Sequence, residues 1–239
     1  MENMAKARIR AAARAARRER REREAASRIG ARNGIREPLS ESASTGARAL
    51  ASTPSPALPV GPGAFRPLAP EAPALLESWR SLLSALGLRA APLLPALFLP
   101  VRAEPDIRPI IAAAPRALLP ALVDARGERL RAPGWAESGP LALEAIPGPR
   151  DAPGDPEGPE ALSRANVVLL PALAIDEAGT RVGQGGGWYD RALTRARPGV
   201  PVVAAIFDEE FSAAPLPSLP HDRRVDAFIS PGGFGILPH

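Results

Sequence analysis

Short, continuous apolar runs, separated by turns rich in proline, glycine and charged residues, mark the later part of the chain. The clearest run begins with two β-branched valines. The runs cover residues 93–99, 117–123, 141–146, 167–170, 200–207 and 227–230. Runs without polar alternation are typical of strands that are buried on both faces, as in a parallel sheet.

Segments with helical spacing lie between and before these runs. Residues 72–87 place leucines and a tryptophan at intervals of three and four, and shorter helices are predicted at 105–113, 159–165 and 188–196. Residues 4–28, rich in Ala, Arg and Glu, predict a basic N-terminal helix. The alternation predicts an α/β fold: an open, mostly parallel, doubly wound sheet with helices on both faces, plus the N-terminal basic helix.

The composition narrows the class of protein. A length of 239 residues and a hydrophobic content of 45% suit one domain with a sizeable core. The sequence has no cysteine, which excludes disulfides and thiolate metal sites. It contains no apolar run of membrane-spanning length, and its Arg-rich start lacks the apolar region of a secretory signal. We therefore expect a cytoplasmic protein that does not bind membranes.

Charge is distributed unevenly along the chain. Residues 1–37 hold 12 Lys/Arg and 5 Glu, a net charge of +7, whereas the remainder holds 18 Lys/Arg and 21 Asp/Glu, a net charge of −3. The organisation predicted is a basic helix at 1–37, a linker or insertion rich in Pro, Ala and Ser at 38–70, and an α/β body at 71–239. The helix and the body are expected to form a single domain.

A glycine-rich segment between a predicted strand and a predicted helix carries the main candidate chemistry. Residues 181–191 read RVGQGGGWYDR. Glycines bring backbone N–H groups close to a ligand, so the segment either binds phosphate or serves only as a tight turn. Asp190 suits Mg²⁺ beside phosphates, and Arg181 and Arg191 flank the loop. The segment is not a Walker A loop, because no Gly-Lys-Ser/Thr follows, nor a Rossmann fingerprint, because Trp188 stands at the third glycine position.

Residues 167–191, VVLLPALAIDEAGTRVGQGGGWYDR, resemble the signature of the 5-formyltetrahydrofolate cyclo-ligase family. That signature is a buried strand, Pro, a small-apolar turn and Asp, followed by Arg-apolar-Gly-x-Gly-x-Gly-aromatic-Tyr-Asp. The resemblance implies that the loop binds ATP phosphates and borders the folate, and that Asp190 is a Mg²⁺ ligand. The implied ATP-binding residues here are Arg181, Val182, Gly183, Gln184, Gly185, Gly186, Gly187, Trp188 and Tyr189, and the implied substrate contacts are Gln184, Gly185, Gly186, Gly187 and Trp188.

Two further segments are similar to the same family pattern. Lys6 and Arg10 match a Lys-x-x-x-Arg pair on a helix, and the resemblance implies that both side chains reach ATP. A solvated basic helix is the alternative interpretation of that pair. Residues 98–106 match a strand end followed by an acidic segment, which implies folate contacts at Leu99 and Glu104.

A closing segment, residues 221–226, is similar to the family's His/Asn-Asp-x-x-apolar-Asp and implies that Asp222 is a second Mg²⁺ ligand. The sequence departs from the family pattern in several places, of which two bear most on activity. Ile107 stands where the family usually has Thr, and the Glu-Pro segment that often precedes the signature strand is missing. The resemblance covers roughly residues 4–20 and 90–232.

The resemblance implies one reaction, in which 5-formyltetrahydrofolate and ATP, with Mg²⁺, give 5,10-methenyltetrahydrofolate, ADP and phosphate. Two alternatives remain open at this point. A sugar-phosphate isomerase-like enzyme would bind phosphate at the same loop and use an acid or base such as Glu104. A nucleic-acid-binding protein would use the whole basic helix and bind with strongly salt-dependent affinity, although that helix carries no aromatic residue for base stacking.

Overall fold

The computed structural model of the chain describes residues 2–33, 68–89, 92–101, 103–124, 126–148, 156–219 and 222–238. Residues Met1–Arg18 and Leu68–His239 form one compact unit, and Glu19–Pro67 form another. The sheets and the candidate site belong to the first unit. The predicted linker at 38–70 lies outside the described residues except for its last three positions, so its role stays a prediction.

The structure contains most of the predicted elements, several of them shorter than expected. The helices are α1 (Glu2–Asn33), α2 (Ala72–Ala85), α3 (Arg108–Ala113) and α4 (Trp188–Leu193), and 3₁₀ turns span Leu143–Ala145, Pro159–Arg164 and Asp208–Glu210. The strands are β1 (Pro95–Ala96), β2 (Ala117–Val123), β3 (Arg129–Ser138), β4 (Val167–Pro171), β5 (Ala174–Asp176), β6 (Arg181–Val182), β7 (Val202–Ala205), β8 (Phe211–Ser212), β9 (Ala227–Ser230) and β10 (Gly233–Ile236). Within the described ranges, no helix is both long enough and apolar enough to cross a membrane.

The main sheet has seven strands in the order β10-β9-β7-β4-β1-β2-β3. The five strands from β9 to β2 pair in parallel, and the two edge strands, β10 and β3, pair antiparallel with their neighbours. The predicted α/β fold with a mostly parallel sheet is therefore confirmed, with an antiparallel strand added at each edge.

Both faces of the sheet are covered. Because successive residues of a strand point to opposite faces, Val167 and Leu169 of β4 join one core cluster with apolar residues of α2 and α3. Val168 and Leu170 join a second cluster, to which α4 contributes apolar residues. This two-sided burial is the physical reason that β4 reads as a continuous apolar run, and it confirms the prediction of helices on both faces.

The region between β2 and β4 differs from the sequence-based expectation. β3 was not predicted, because its sequence RLRAPGWAES lacks both a continuous apolar run and a regular alternation. The strand lies at the sheet edge, where a proline is tolerated within a strand. The apolar run at 141–146, predicted as a strand, instead contains the 3₁₀ turn Leu143–Ala145, and β3 takes the edge position beside β2.

A smaller sheet, in the order β6-β5-β8, presents the glycine-rich segment. The turn from β5 to β6 is held by Asp176, whose Oδ1 accepts hydrogen bonds from the Ala178 and Thr180 amides at 3.1 and 2.8 Å. Gly179 in this turn has φ +74, and a Cβ there would lie 2.3 Å from the Val225 carbonyl oxygen. The turn thus requires glycine at this position and directs the chain from β6 into the candidate site.

Candidate functional site

A cavity of about 390 Å³ lies beside the end of β4 and brings distant segments of the chain together. Residues of α1, the segment after β1, the chain from β6 into α4, and the loop before β9 all line it. The predicted site residues that line it are Lys6, Arg10, Glu104, Arg181, Gly183, Gln184, Gly185, Gly186, Gly187, Trp188, Tyr189, Asp190 and Asp222. Most residues implied by the family resemblance therefore meet in one place.

Leu99 and Val182 lie elsewhere. Leu99 is 4% exposed and packs in the core cluster beneath α2, and Val182 is 1% exposed within β6. Neither residue is among those that line the cavity. The folate contact of Leu99 and the ATP contact of Val182 stay predictions, since burial suggests support for the site rather than direct contact with a ligand.

Helix α1 is bound to the glycine loop, defined here as residues 183–187. Arg10 Nε donates a hydrogen bond to the Gly183 carbonyl at 3.0 Å, and Arg14 Nη2 donates to the Gln184 carbonyl at 2.8 Å. Gly185 has φ +96, and a Cβ there would meet the Arg10 guanidinium at 3.4 Å. The positive φ favours glycine at this position, and the loop lies in van der Waals range of α1.

Two ion pairs lie across the cavity wall. Lys6 pairs with Asp222, and Arg181 pairs with Asp190. Lys6 and Arg181 are only 4% and 7% exposed, which means that each cation is held where solvent screens it weakly. The Leu219 amide also donates to Asp222 Oδ2 at 2.6 Å, so the turn before β9 fixes that carboxylate.

The oxygen ligands at the cavity are compatible with a magnesium ion that is bound together with phosphates. Asp190 and Asp222 supply carboxylate oxygens, which Mg²⁺ prefers, and Mg²⁺ commonly binds through one or two carboxylates plus phosphate oxygens and water. Among the described residues, no group of three or more His, Cys, Asp or Glu side chains is placed to hold a metal. A metal here would therefore depend on ligand oxygens as well as on the protein.

Glu104 is a buried carboxyl group that faces the cavity. It is 7% exposed, and its Oε2 accepts a hydrogen bond from the Val101 amide at 3.0 Å. The preceding residue, Ala103, has φ +66, a left-handed conformation that a non-glycine residue adopts at a cost of about 1–3 kcal/mol. Strain of this kind is common at functional sites, and here it orients a carboxyl group towards the cavity.

The surroundings of Glu104 place its pKa near neutral pH. Burial raises the pKa of this carboxyl, and the nearby Glu210 adds to the rise, while the Val101 amide, the Arg17 charge and the Gln184 amide lower it. The resulting pKa is about 7. Glu104 can therefore exist at neutral pH as a hydrogen-bond acceptor or as a proton donor, depending on what binds beside it.

Replacing Glu104 with glutamine is expected to stabilise the free protein at pH 8 and to change its stability little at pH 4.5. A glutamate side chain normally titrates near 4.5, whereas Glu104 titrates near 7, so between these values the folded state keeps a proton that the unfolded state has released. The free energy of unfolding therefore falls as pH rises through this window, and the variant avoids a loss of roughly 3 kcal/mol. Urea unfolding at both pH values measures the difference.

The control for this measurement is Glu144→Gln, which changes an exposed glutamate in a 3₁₀ turn. Its effect on the free energy of unfolding should be small at both pH values. If Glu104→Gln did not raise the free energy of unfolding at pH 8, or raised it equally at pH 4.5, the near-neutral pKa of Glu104 would be contradicted.

Arg17 and Glu210 form a buried ion pair behind the cavity that the sequence analysis missed. Arg17 Nε and Nη2 donate to the two Glu210 carboxylate oxygens at 2.6 and 2.8 Å, and Nη2 also donates to the Ala172 carbonyl. The guanidinium carbon lies 5.4 Å from the centroid of the Phe207 ring. Burial raises the pKa of Glu210, and the hydrogen bonds and charge of Arg17 oppose that rise. The pair anchors α1 to the strand ends that support the cavity.

A regular spacing along α1 could have indicated Arg17. Lys6, Arg10, Arg14 and Arg17 follow one another at intervals of four, four and three, which places them on one face of a helix. All four donate hydrogen bonds to the body of the first unit. The same spacing does not reveal which residues they contact.

Aromatic side chains form one side of the cavity. The Trp188 ring packs edge-on against Tyr189 at 4.8 Å between centroids and against Trp135 at 5.1 Å. Burial, reinforced by the charge of Glu104 and opposed by that of Arg181, holds the pKa of the Tyr189 hydroxyl well above its usual value. Tyr189 is therefore a neutral phenol at physiological pH, and the pair offers ring surface to a flat ligand.

Comparisons with known proteins identify the family of the chain. The sequence profile of the 5-formyltetrahydrofolate cyclo-ligase family matches residues 96–231. A 5-formyltetrahydrofolate cyclo-ligase of Mycolicibacterium smegmatis is 34% identical over 162 residues, which cover 65% of this chain and 80% of that protein. An Escherichia coli K12 protein of the same name is 56% identical over 32 residues, 13% of this chain and 18% of that protein.

A solved structure shares the fold. The NMR structure of Aquifex aeolicus 5,10-methenyltetrahydrofolate synthetase matches with a TM-score of 0.50 and 22% identity, covering 71% of this chain and 84% of that chain. The match to the family profile spans the glycine loop and the strands on both sides of it. The chain therefore belongs to the 5-formyltetrahydrofolate cyclo-ligase family.

Proposed function

We propose that this chain converts 5-formyltetrahydrofolate to 5,10-methenyltetrahydrofolate, with ATP as the second substrate and ADP and phosphate as the other products. Membership of the family supports this activity. The observation that carries it is the single cavity where cations of α1, the glycine loop and a buried carboxyl group meet. Both substrates need to lie in one cavity because the phosphoryl group passes directly from one to the other.

The phosphate end of the cavity is assigned to Lys6, Arg10 and the glycine loop. Lys6 is buried at the cavity, and Arg10 lies against the loop backbone. Positive charge and fixed N–H groups in a site with little water stabilise the charge that develops on a transferring phosphoryl group. Arg181 lies on the same cavity wall and adds a further cation.

Asp190 and Asp222 are the residues that would hold Mg²⁺ beside these phosphates. The ion would neutralise part of the phosphate charge and orient it. Lys6 and Arg181, the present partners of the two carboxylates, can turn to phosphate oxygens instead, since all four side chains line the same cavity.

The folate end is assigned to Glu104, Gln184 and the aromatic pair. A pterin presents amino and ring N–H donors, which a carboxylate accepts. Glu104 is buried and interacts with the Gln184 side chain, so its direction is fixed before the ligand arrives. Trp188 and Tyr189 supply flat apolar surface for the ring system.

The proposed reaction needs no nucleophile from the protein. The formyl oxygen attacks the γ-phosphorus of ATP, and ADP leaves. The second folate nitrogen then attacks the activated formyl carbon and gives up its proton, and the phosphate leaves with the oxygen that was formerly the formyl oxygen. The protein holds the two substrates in line and shields the activated intermediate from water.

The basic helix supports an ATP site better than a nucleic-acid interface. Lys6 and Arg17 are buried, and Arg10 and Arg14 hydrogen-bond to the glycine loop. A nucleic-acid interface would need these cations free to reach a phosphate backbone.

A spectrophotometric assay tests the proposed function. Purified chain, 5-formyltetrahydrofolate and Mg²⁺ are mixed with and without ATP, and the near-UV absorbance of the methenyl product is followed. We expect an increase only when ATP is present. Folded protein that gives no increase, or an increase without ATP, would contradict the proposal.

A further inference from the structure

A second cavity, of about 360 Å³, shares Trp188 with the candidate site. Arg129 and Arg131 of β3, Arg191 of α4 and Trp188 line it, and its remaining lining residues are Ala, Leu and Pro. We call it the arginine cavity. Its described lining thus combines three cations with apolar surface and includes no acidic side chain.

The three arginines of this cavity are brought together without a carboxylate partner among the described residues. Arg108 and Arg164, by contrast, are paired with aspartate or glutamate side chains. No described carboxylate lies within ion-pair distance of the three cavity arginines; Arg191 donates only to the Gly186 carbonyl, at 3.2 Å. Cations gathered around an apolar cavity without carboxylate partners favour an anionic ligand, since they repel one another and gain most from carboxylates or phosphates.

Shared residues link the arginine cavity to the candidate site. Trp188 lines both cavities, and Arg191 is hydrogen-bonded to the glycine loop. One extended ligand can therefore lie along the Trp188 ring with one end near Glu104 and the other among the three arginines.

We propose that the arginine cavity binds the glutamate carboxylates of the folate substrate, an assignment that rests on the proposed function. The substrate carries, in order, a pterin, a benzoyl ring and a glutamate. The two cavities offer, in the same order, the Glu104 carboxyl, the Trp188 ring and three cations. The ATP phosphates have a separate set of cations, Lys6 and Arg10, in the first cavity.

The test compares two substrates that differ only in the anionic end. KM is measured at saturating ATP for 5-formyltetrahydrofolate and for 5-formyltetrahydropteroate, which lacks the glutamate. The double variant R129Q/R131Q is expected to raise KM for the glutamate-bearing substrate at least tenfold, about 1.4 kcal/mol. Its KM for the pteroate and its kcat should change little, because neither arginine is assigned to the phosphate or the pterin.

The matched control is R80Q/R89Q, which removes two exposed arginines outside both cavities. It is expected to leave the ratio of the two KM values unchanged. An equal rise in both KM values for R129Q/R131Q, or a rise only in KM for ATP, would overturn the assignment. If the wild-type chain turned over neither substrate, the proposed function itself would fail, and this assignment would fail with it. If the wild type were active and R129Q/R131Q left the ratio of the two KM values unchanged, only the assignment of the glutamate carboxylates to the arginine cavity would be overturned.

Discussion

Replacing Lys6 with alanine is expected to lower kcat/KM for ATP by roughly a hundredfold or more, the usual effect of removing one fixed cation or donor from a transferring group. Lys6 is the only lysine in the sequence, is 4% exposed, and lines the cavity beside the glycine loop. Its loss also removes the ion pair that Lys6 makes with Asp222 at the point where phosphates are assigned. Both effects raise the energy of the phosphoryl-transfer step.

Steady-state kinetics at varied ATP concentration measures this change, with Arg8→Ala as the control. Arg8 is exposed on the same helix and lies outside the cavity lining, so the control removes one positive charge without touching the site. Its kinetics should resemble those of the wild type. A Lys6→Ala variant with wild-type kcat/KM for ATP would show that the helix cation does not act on the phosphates.

Replacing Arg17 with leucine is expected to destabilise the fold of the first unit by about 3–5 kcal/mol, because it leaves a buried carboxylate without its partner. Glu210 accepts two hydrogen bonds from Arg17 in a region where both residues are less than a tenth exposed. The loss is expected to be largest at high pH. Without Arg17 the pKa of Glu210 rises further, and a raised carboxyl pKa makes the free energy of unfolding fall as pH increases.

Urea unfolding from pH 5 to pH 8 measures this loss and its pH dependence. The matched control is the double variant R17L/E210L, in which no buried charge remains. It should recover much of the lost stability, since replacing a whole buried ion pair with apolar residues is often nearly neutral. If R17L were as stable as the wild type at pH 8, the pair would not anchor α1.

Much of the fold follows from local patterns. The runs at 117–123 and 227–230 became β2 and β9 at those residues, and the run at 167–170 became β4 with one residue added. Strands buried on both faces are apolar at every position, so their pattern is readable without the tertiary structure. β3 was not predicted, because an edge strand needs to bury only one face and tolerates arginine and proline.

The central residues of the candidate site were also predicted from the sequence. The glycine loop, Asp190 and the Lys6–Arg10 pair were named as site residues because residues 167–191 and the N-terminal pair resemble the family pattern, and all of them line one cavity. Glycine spacing and helical periodicity are local properties, which is why the sequence displays them. Their assignment to ATP and Mg²⁺ remains a proposal.

The partners of these residues were decided by the tertiary structure alone. Lys6 meets Asp222, and Arg17 meets Glu210, across 216 and 193 positions of the chain, and no local pattern encodes such pairs. The near-neutral pKa of Glu104 likewise depends on burial among groups from other segments. The sequence by itself determined the α/β class, the position of the glycine loop and the interval between Lys6 and Arg10, because these are short-range features of the chain. Packing decided which charges are buried, which are paired and which three arginines share a cavity, because those depend on contacts between residues far apart in the chain.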